Sequence, residues 1–142
     1  MCKALFLFEF GIAVTYYISA TKATSQSKIA DLPIRIKFGL GQCHMLRAQV
    51  DPTQPFDGAI ALFESVIAYY DQNTDVNAKA RLKILTAESH ARLGAIYSFF
   101  SDYRAESIKH YEDAIQMSAG RTDRLVVFNK ELDAVKAQPV TP

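Results

Sequence analysis

Residues 90–118 read HARLGAIYSFFSDYRAESIKHYEDAIQMS, and this stretch decides the fold. Leu93, Gly94 and Tyr97 stand at helical spacing in its first half, and Ser107, Tyr111 and Ala114 in its second, with Ser101-Asp102-Tyr103 as the break between them. A small residue, an aromatic four positions on and a small residue three further share one helix face. Two such segments joined by a short turn predict an antiparallel helix pair, with a ring seated where glycine lets the backbones approach. The pattern recurs upstream: Ala59, Phe63, Val66 and Ile67 match Ser107, Tyr111, Ala114 and Ile115, while Lys37, Leu40, Gly41 and His44 match His90, Leu93, Gly94 and Tyr97. Ala4, Phe8, Gly11 and Ile12 repeat the second half alone. Such self-similarity signals stacked units, none of which buries its apolar face by itself.

Working outward, Asp31 and Pro33 predict the start of a helix running to about 49, with Ile36, Leu40, Cys43 and Leu46 or Arg47 as its apolar stripe. Pro52 and Pro55 force a loop, and a helix follows over about 56–71. Thr74 or Asp75 caps a long helix from Val76 to Phe100, and a shorter one spans about 104–118. Ala119-Gly120 stops it, and Thr122 or Asp123 caps a last helix with the stripe Leu125, Phe128, Leu132 and Val135. Residues 3–19 read as a helix, although Phe6, Phe8 and Phe10 also alternate as in a strand. The polar run Thr21–Lys28 reads as a connection. Six helices and no strands make the chain all-α, a single domain over 1–137 with a flexible tail at 138–142.

The chain has 142 residues, 49% of them apolar, which fits one globular domain with a sizeable core. Sixteen Lys and Arg balance fifteen Asp and Glu, so no bulk field draws in nucleic acid or a membrane surface, and neither partner is expected. Cys2 and Cys43 form no CxxC pair or zinc-ligand spacing, and are expected to be reduced, with Cys43 as a small core residue and the chain cytoplasmic. Lys3, the apolar run to Ile18 and Ser19-Ala20-Thr21 also outline a secretory signal, against which stands Glu9 in mid-run.

On these residues the stretch from Ala87 to Ser118 resembles a tetratricopeptide repeat, whose W-x2-L-G-x2-Y and A-x3-F halves appear here as His90, Leu93, Gly94, Tyr97 and Ser107, Tyr111, Ala114. Residues 31–71 give a second copy, 3–19 an unpaired helix and 121–137 a capping helix. No Trp occurs, the closing proline is absent, and Phe63 and Tyr111 are 48 residues apart where an ordinary repeat takes about 34, so the chain is similar to divergent, long-helix members. The resemblance implies helix pairs stacked as a short right-handed solenoid. It also implies a partner-binding groove lined by Arg35, Phe38, Gln42 and Met45 in one unit and by Glu88, Ala91, Arg92, Ala95 and Phe99 in the next. The family's carboxylate-clamping Lys and Asn are missing at these places, which speaks against capture of chaperone C-termini, and Phe38, Met45 and Phe99 point instead to an apolar guest bordered by Arg35 and Arg92.

Candidates for chemistry are few. His44 and His90 fall where the repeat places rings and read as packed side chains; His90 and His110 could meet across the helix pair, but two imidazoles lack the carboxylate that would complete a ligand set. Glu9, Glu64 and Glu112 occupy one repeat position and read as a solvated face, and Lys79, Arg81, Lys83 and Arg92 as the charged side of the long helix. No GxSxG, HExxH, Walker loop or GxGxxG occurs. The expectation is an interaction scaffold without catalytic residues, cofactor or metal, binding a protein partner or a second copy through its first helix. The alternatives are a secreted or membrane-tethered helical protein with residues 1–20 as its signal, and a small nucleic-acid binder using the basic helix.

Overall fold

Helix ends fall close to the punctuation residues in the computed structural model, which describes residues 11–20 and 31–139. Residues 11–20 are helical (α1), followed by α2 (Leu32–Val50), α3 (Asp57–Gln72), α4 (Val76–Tyr97), α5 (Arg104–Met117) and α6 (Thr122–Lys136). A 3-10 turn at Ser101–Tyr103 separates α4 from α5. No strand occurs among the described residues, so the chain is all-α as the periodicities predict. The expectations for Ala4, Phe8, Glu9, the Phe6–Phe8–Phe10 alternation, Cys2, the Thr21–Lys28 connection and residues 140–142 lie outside the described residues.

Local chemistry explains the boundaries. Pro33 sits in the first turn of α2, where its missing N–H costs no bond. Asp75 caps α4, its carboxylate accepting from the Asn77 N–H at 2.9 Å. Gly120, at φ +88°, supplies the left-handed turn after α5. Three expectations need correction. The long helix ends at Tyr97 and not Phe100: the Phe99 and Phe100 N–H groups bond three residues back, and the Ser98 hydroxyl takes the Ala95 carbonyl, so the last turn tightens and stops. Neither Thr122 nor Asp123 caps α6; the cap position is Arg121, and Asp123 acts from the first turn, 3.6 Å from the Arg121 guanidinium. In α2 the buried face is Ile34, Ile36, Gly39, Gly41, Met45 and Ala48, while Leu46 is exposed and Leu40 and Cys43 are half-buried. Of the predicted stripe Ile36 lies on that face, and Gly39 and Gly41 join it because the Tyr17 and Phe63 rings press on them.

The chain divides into two compact units, Met1–Val66 and Ile67–Pro142, with the boundary inside α3. In the first, Phe63 is fully buried against Gly41: a Cβ on Gly41 would lie 2.9 Å from the Phe63 ring. Phe38 adds an edge-to-face contact to the same ring, centroids 5.7 Å apart. The Tyr17 ring of α1 presses on Gly39, leaving no room for a Cβ there.

In the second unit α5 packs between α4 and α6. A Cβ on Gly94 would lie 2.8 Å from the buried Tyr111 ring, and the Ser107 hydroxyl donates to the Gly94 carbonyl at 2.7 Å. Phe128, Leu132 and Val135 of α6 close over Tyr111, Ala114 and Ala91, with Ala95, Ile108 and Ile115 at the margin. Polar ties fix α6: Arg124 meets Glu88 at 2.7 Å, Lys136 meets Glu112 at 3.1 Å, and the Arg104 guanidinium donates to the Val135 and Lys136 carbonyls at the helix end.

Candidate functional site

The seam residues are buried, and the residues expected to line a groove differ in how far the first helix of each pair leaves them accessible. On α2, Arg35 is exposed and Phe38 and Gln42 are half-buried, but Met45 is buried. On α4, Phe99, just beyond the helix end, is 59% exposed and Arg92 is half-buried. Glu88 and Ala91 are buried: Glu88 is paired with Arg124 and lies 3.9 Å from Arg92, and Ala91 belongs to the core that α6 closes, with Ala95 packed beside it. Of the nine residues expected to line a groove, Arg35 and Phe99 are therefore the most open, with Phe38, Gln42, Arg92 and Ala95 partly so.

The charged positions behave as surface. Glu64 is exposed, and Glu112 is exposed and joined to Lys136. Lys83 is exposed, while Lys79 lies over the Tyr70 ring, 5.0 Å from its centroid. Cys43 is a free, half-buried thiol whose pKa is raised by burial. His44 is half-buried and near Gly58, where a Cβ would come within 3.4 Å of the His44 ring.

The histidines of the second unit form a different kind of place. Helix α4 carries His90 and helix α5 carries His110 to the same point, Nδ1 facing Nδ1 at 3.0 Å. One turn further along α5, Asp113 Oδ2 lies 3.8 Å from His90 Nδ1. The three side chains are half-buried, and their donor atoms lie within 4.8 Å of one another. Tyr97 stacks on His110 at 5.6 Å and on Tyr103 at 5.6 Å, with Phe100 edge-on to Tyr103, so a column of rings walls one side.

Burial disfavours the protonated rings. The pKa of His110 is lowered to about 4, chiefly by desolvation and then by His90, against opposing pulls from Asp113 and Glu106. That of His90 is also lowered by burial, with Asp113 and Asp71 opposing the shift. Both rings are neutral at pH 7, so each has a lone pair to offer.

The sequence brings the two histidines together and misses Asp113. The available signal was the His110-x-x-Asp113 spacing, which puts both groups on one face of α5. Comparison of the chain with protein-family models, curated proteins and solved structures finds no match. Among the described residues no helix is long and apolar enough to cross a membrane.

Proposed function

We propose that the chain is a protein interaction module and not an enzyme: a divergent, long-helix tetratricopeptide-like array whose helix pairs stack as a short right-handed solenoid. In this reading the first helix of each pair offers its accessible side chains to a partner peptide or helix. One observation carries it. The glycine–aromatic seam recurs at Gly41/Phe63 and Gly94/Tyr111, where a Cβ added to the glycine would fall 2.9 and 2.8 Å from the ring, and the buried residues of α3 and α5 fall at the same spacing, Ala59–Phe63–Val66 and Ser107–Tyr111–Ala114. What the chain duplicates is a way of holding helices together, which suits a scaffold built from units. With Cys43 a free thiol, the cytoplasm is the compartment proposed.

Arg35 leads the proposed contacts in the first unit, with Phe38 and Gln42, and Phe99 in the second, with Arg92; these residue types favour an apolar guest carrying acidic flanks. Selection from a displayed library of helical and extended peptides tests this. Selected ligands should lose at least tenfold in affinity when Phe99→Ser or Arg35→Glu is introduced, since neither residue is buried. Phe38 is a poorer probe because its ring braces Phe63. Ligands indifferent to both substitutions, or a library that yields none, would overturn the reading.

A further inference from the structure

We propose that His90, His110 and Asp113 form a transition-metal site of the zinc type, bridging α4 and α5. The inference stands apart from the interaction role and needs none of its residues.

The geometry comes first. Two imidazole Nδ1 atoms 3.0 Å apart converge from different helices, and a carboxylate oxygen stands 3.8 Å from one of them. Three donors that all lie within 4.8 Å of one another leave a central point about 2.8 Å or less from each. Zinc bonds to nitrogen and carboxylate oxygen run to about 2.0–2.2 Å, so small side-chain rotations complete the fit.

The chemistry of the donors agrees. In the empty pair only one Nδ1 can carry the hydrogen that the other accepts. A divalent ion takes the place of that shared proton: the donating ring moves its hydrogen from Nδ1 to Nε2, and both Nδ1 lone pairs then face the metal. Both rings are half-buried beside the Asp113 carboxylate, so the donors converge on a place partly screened from water. Asp113, with Asp71 acting on His90 from α3, supplies negative charge against the local positive charge of Lys109. Two imidazoles and one carboxylate select zinc, copper or nickel over magnesium and calcium, which prefer oxygen donors throughout. Three protein ligands leave a fourth position for water or a partner's donor.

The experiment uses the full chain freed of metal with a chelator. Titration with Zn2+ by calorimetry should show one equivalent bound and a raised melting temperature, while Mg2+ gives neither. His110→Gln and Asp113→Asn should each weaken Zn2+ at least tenfold, and Cys43→Ser should leave it unchanged. Should a variant fail to fold, nitrogen-resolved NMR of the unmodified chain decides: the imidazole signals of His90 and His110 should move on adding Zn2+ while those of His44 stay. The proposal is overturned if no stoichiometric binding occurs, if Cys43→Ser abolishes it, if His110→Gln and Asp113→Asn leave it intact, or if the His44 signals respond and those of His90 and His110 do not.

Discussion

In the α2–α3 pair Phe63 lies over Gly41 with Phe38 against its edge; in the α4–α5 pair Tyr111 lies over Gly94, with the Glu131 carboxylate of α6 acting on its hydroxyl. The seams match, but the flanks do not. Where the second pair carries His90, His110 and Asp113, the corresponding positions of the first are Lys37, Leu62 and Ser65, and Ser65 merely returns its hydroxyl to the Leu62 carbonyl. Where the second pair buries Glu88 against Arg124, the first exposes Arg35. The common part is packing and the divergent part is polar, so a property found only in the second pair is not a requirement of the helix-pair architecture.

The seam should be the costliest place to disturb in both pairs. Phe63→Ala and Tyr111→Ala each remove a buried ring and should cost about 3–5 kcal/mol in denaturant unfolding, comparable with the whole stability of a small domain. Similar costs in the two pairs would support equivalence, whereas a loss confined to one would break it. Next comes the polar asymmetry. Glu88→Ala leaves Arg124 without its partner and should cost about 1–3 kcal/mol, with hydrogen exchange accelerating along α6. Arg35→Ala, at the exposed counterpart, should change stability by less than about 0.5 kcal/mol. Ser107→Ala deletes the bond to the Gly94 carbonyl and should cost about 0.5–1.5 kcal/mol. The reciprocal Ala59→Ser sharpens the comparison, because a hydroxyl there should find the Gly41 carbonyl if the two seams superpose, leaving stability within about 1 kcal/mol of the starting chain.

Much of this was legible in the residues themselves. The seam is written in Gly41, Phe63, Gly94 and Tyr111, because only a residue without a side chain admits a ring so closely, and helical period gives the rest of the face. The buried face of α2 was legible only in part: Ile36 lies on it, but Leu40, Cys43 and Leu46 look like its continuation while Gly39 and Gly41 take the rings; apolar periodicity registers bulk and passes over small residues that meet rings. The early end of α4 depends on Ser98 competing for a carbonyl, which spacing does not reveal. Of the candidate site, the meeting of His90 and His110 followed from antiparallel pairing, while Asp113 was signalled only by its i+3 spacing from His110, which puts both on one face of α5 but says nothing of its reach to His90. Met45, Glu88 and Ala91 looked available for recognition because a repeat pattern locates positions on a helix but not what α6 or a neighbouring turn covers.

A ring against a bare backbone closes both pairs, and a double-mutant cycle at each seam reads the coupling between the two. Gly94→Ala should destabilise the chain, then become neutral or stabilising when Tyr111→Leu has removed the ring, with a coupling of at least about 0.5 kcal/mol; Gly41→Ala with Phe63→Leu should behave alike. If instead each Gly→Ala substitution stabilises the unaltered chain by the roughly 1 kcal/mol that alanine gains over glycine in a helix, no ring occupies the space and the shared seam does not exist.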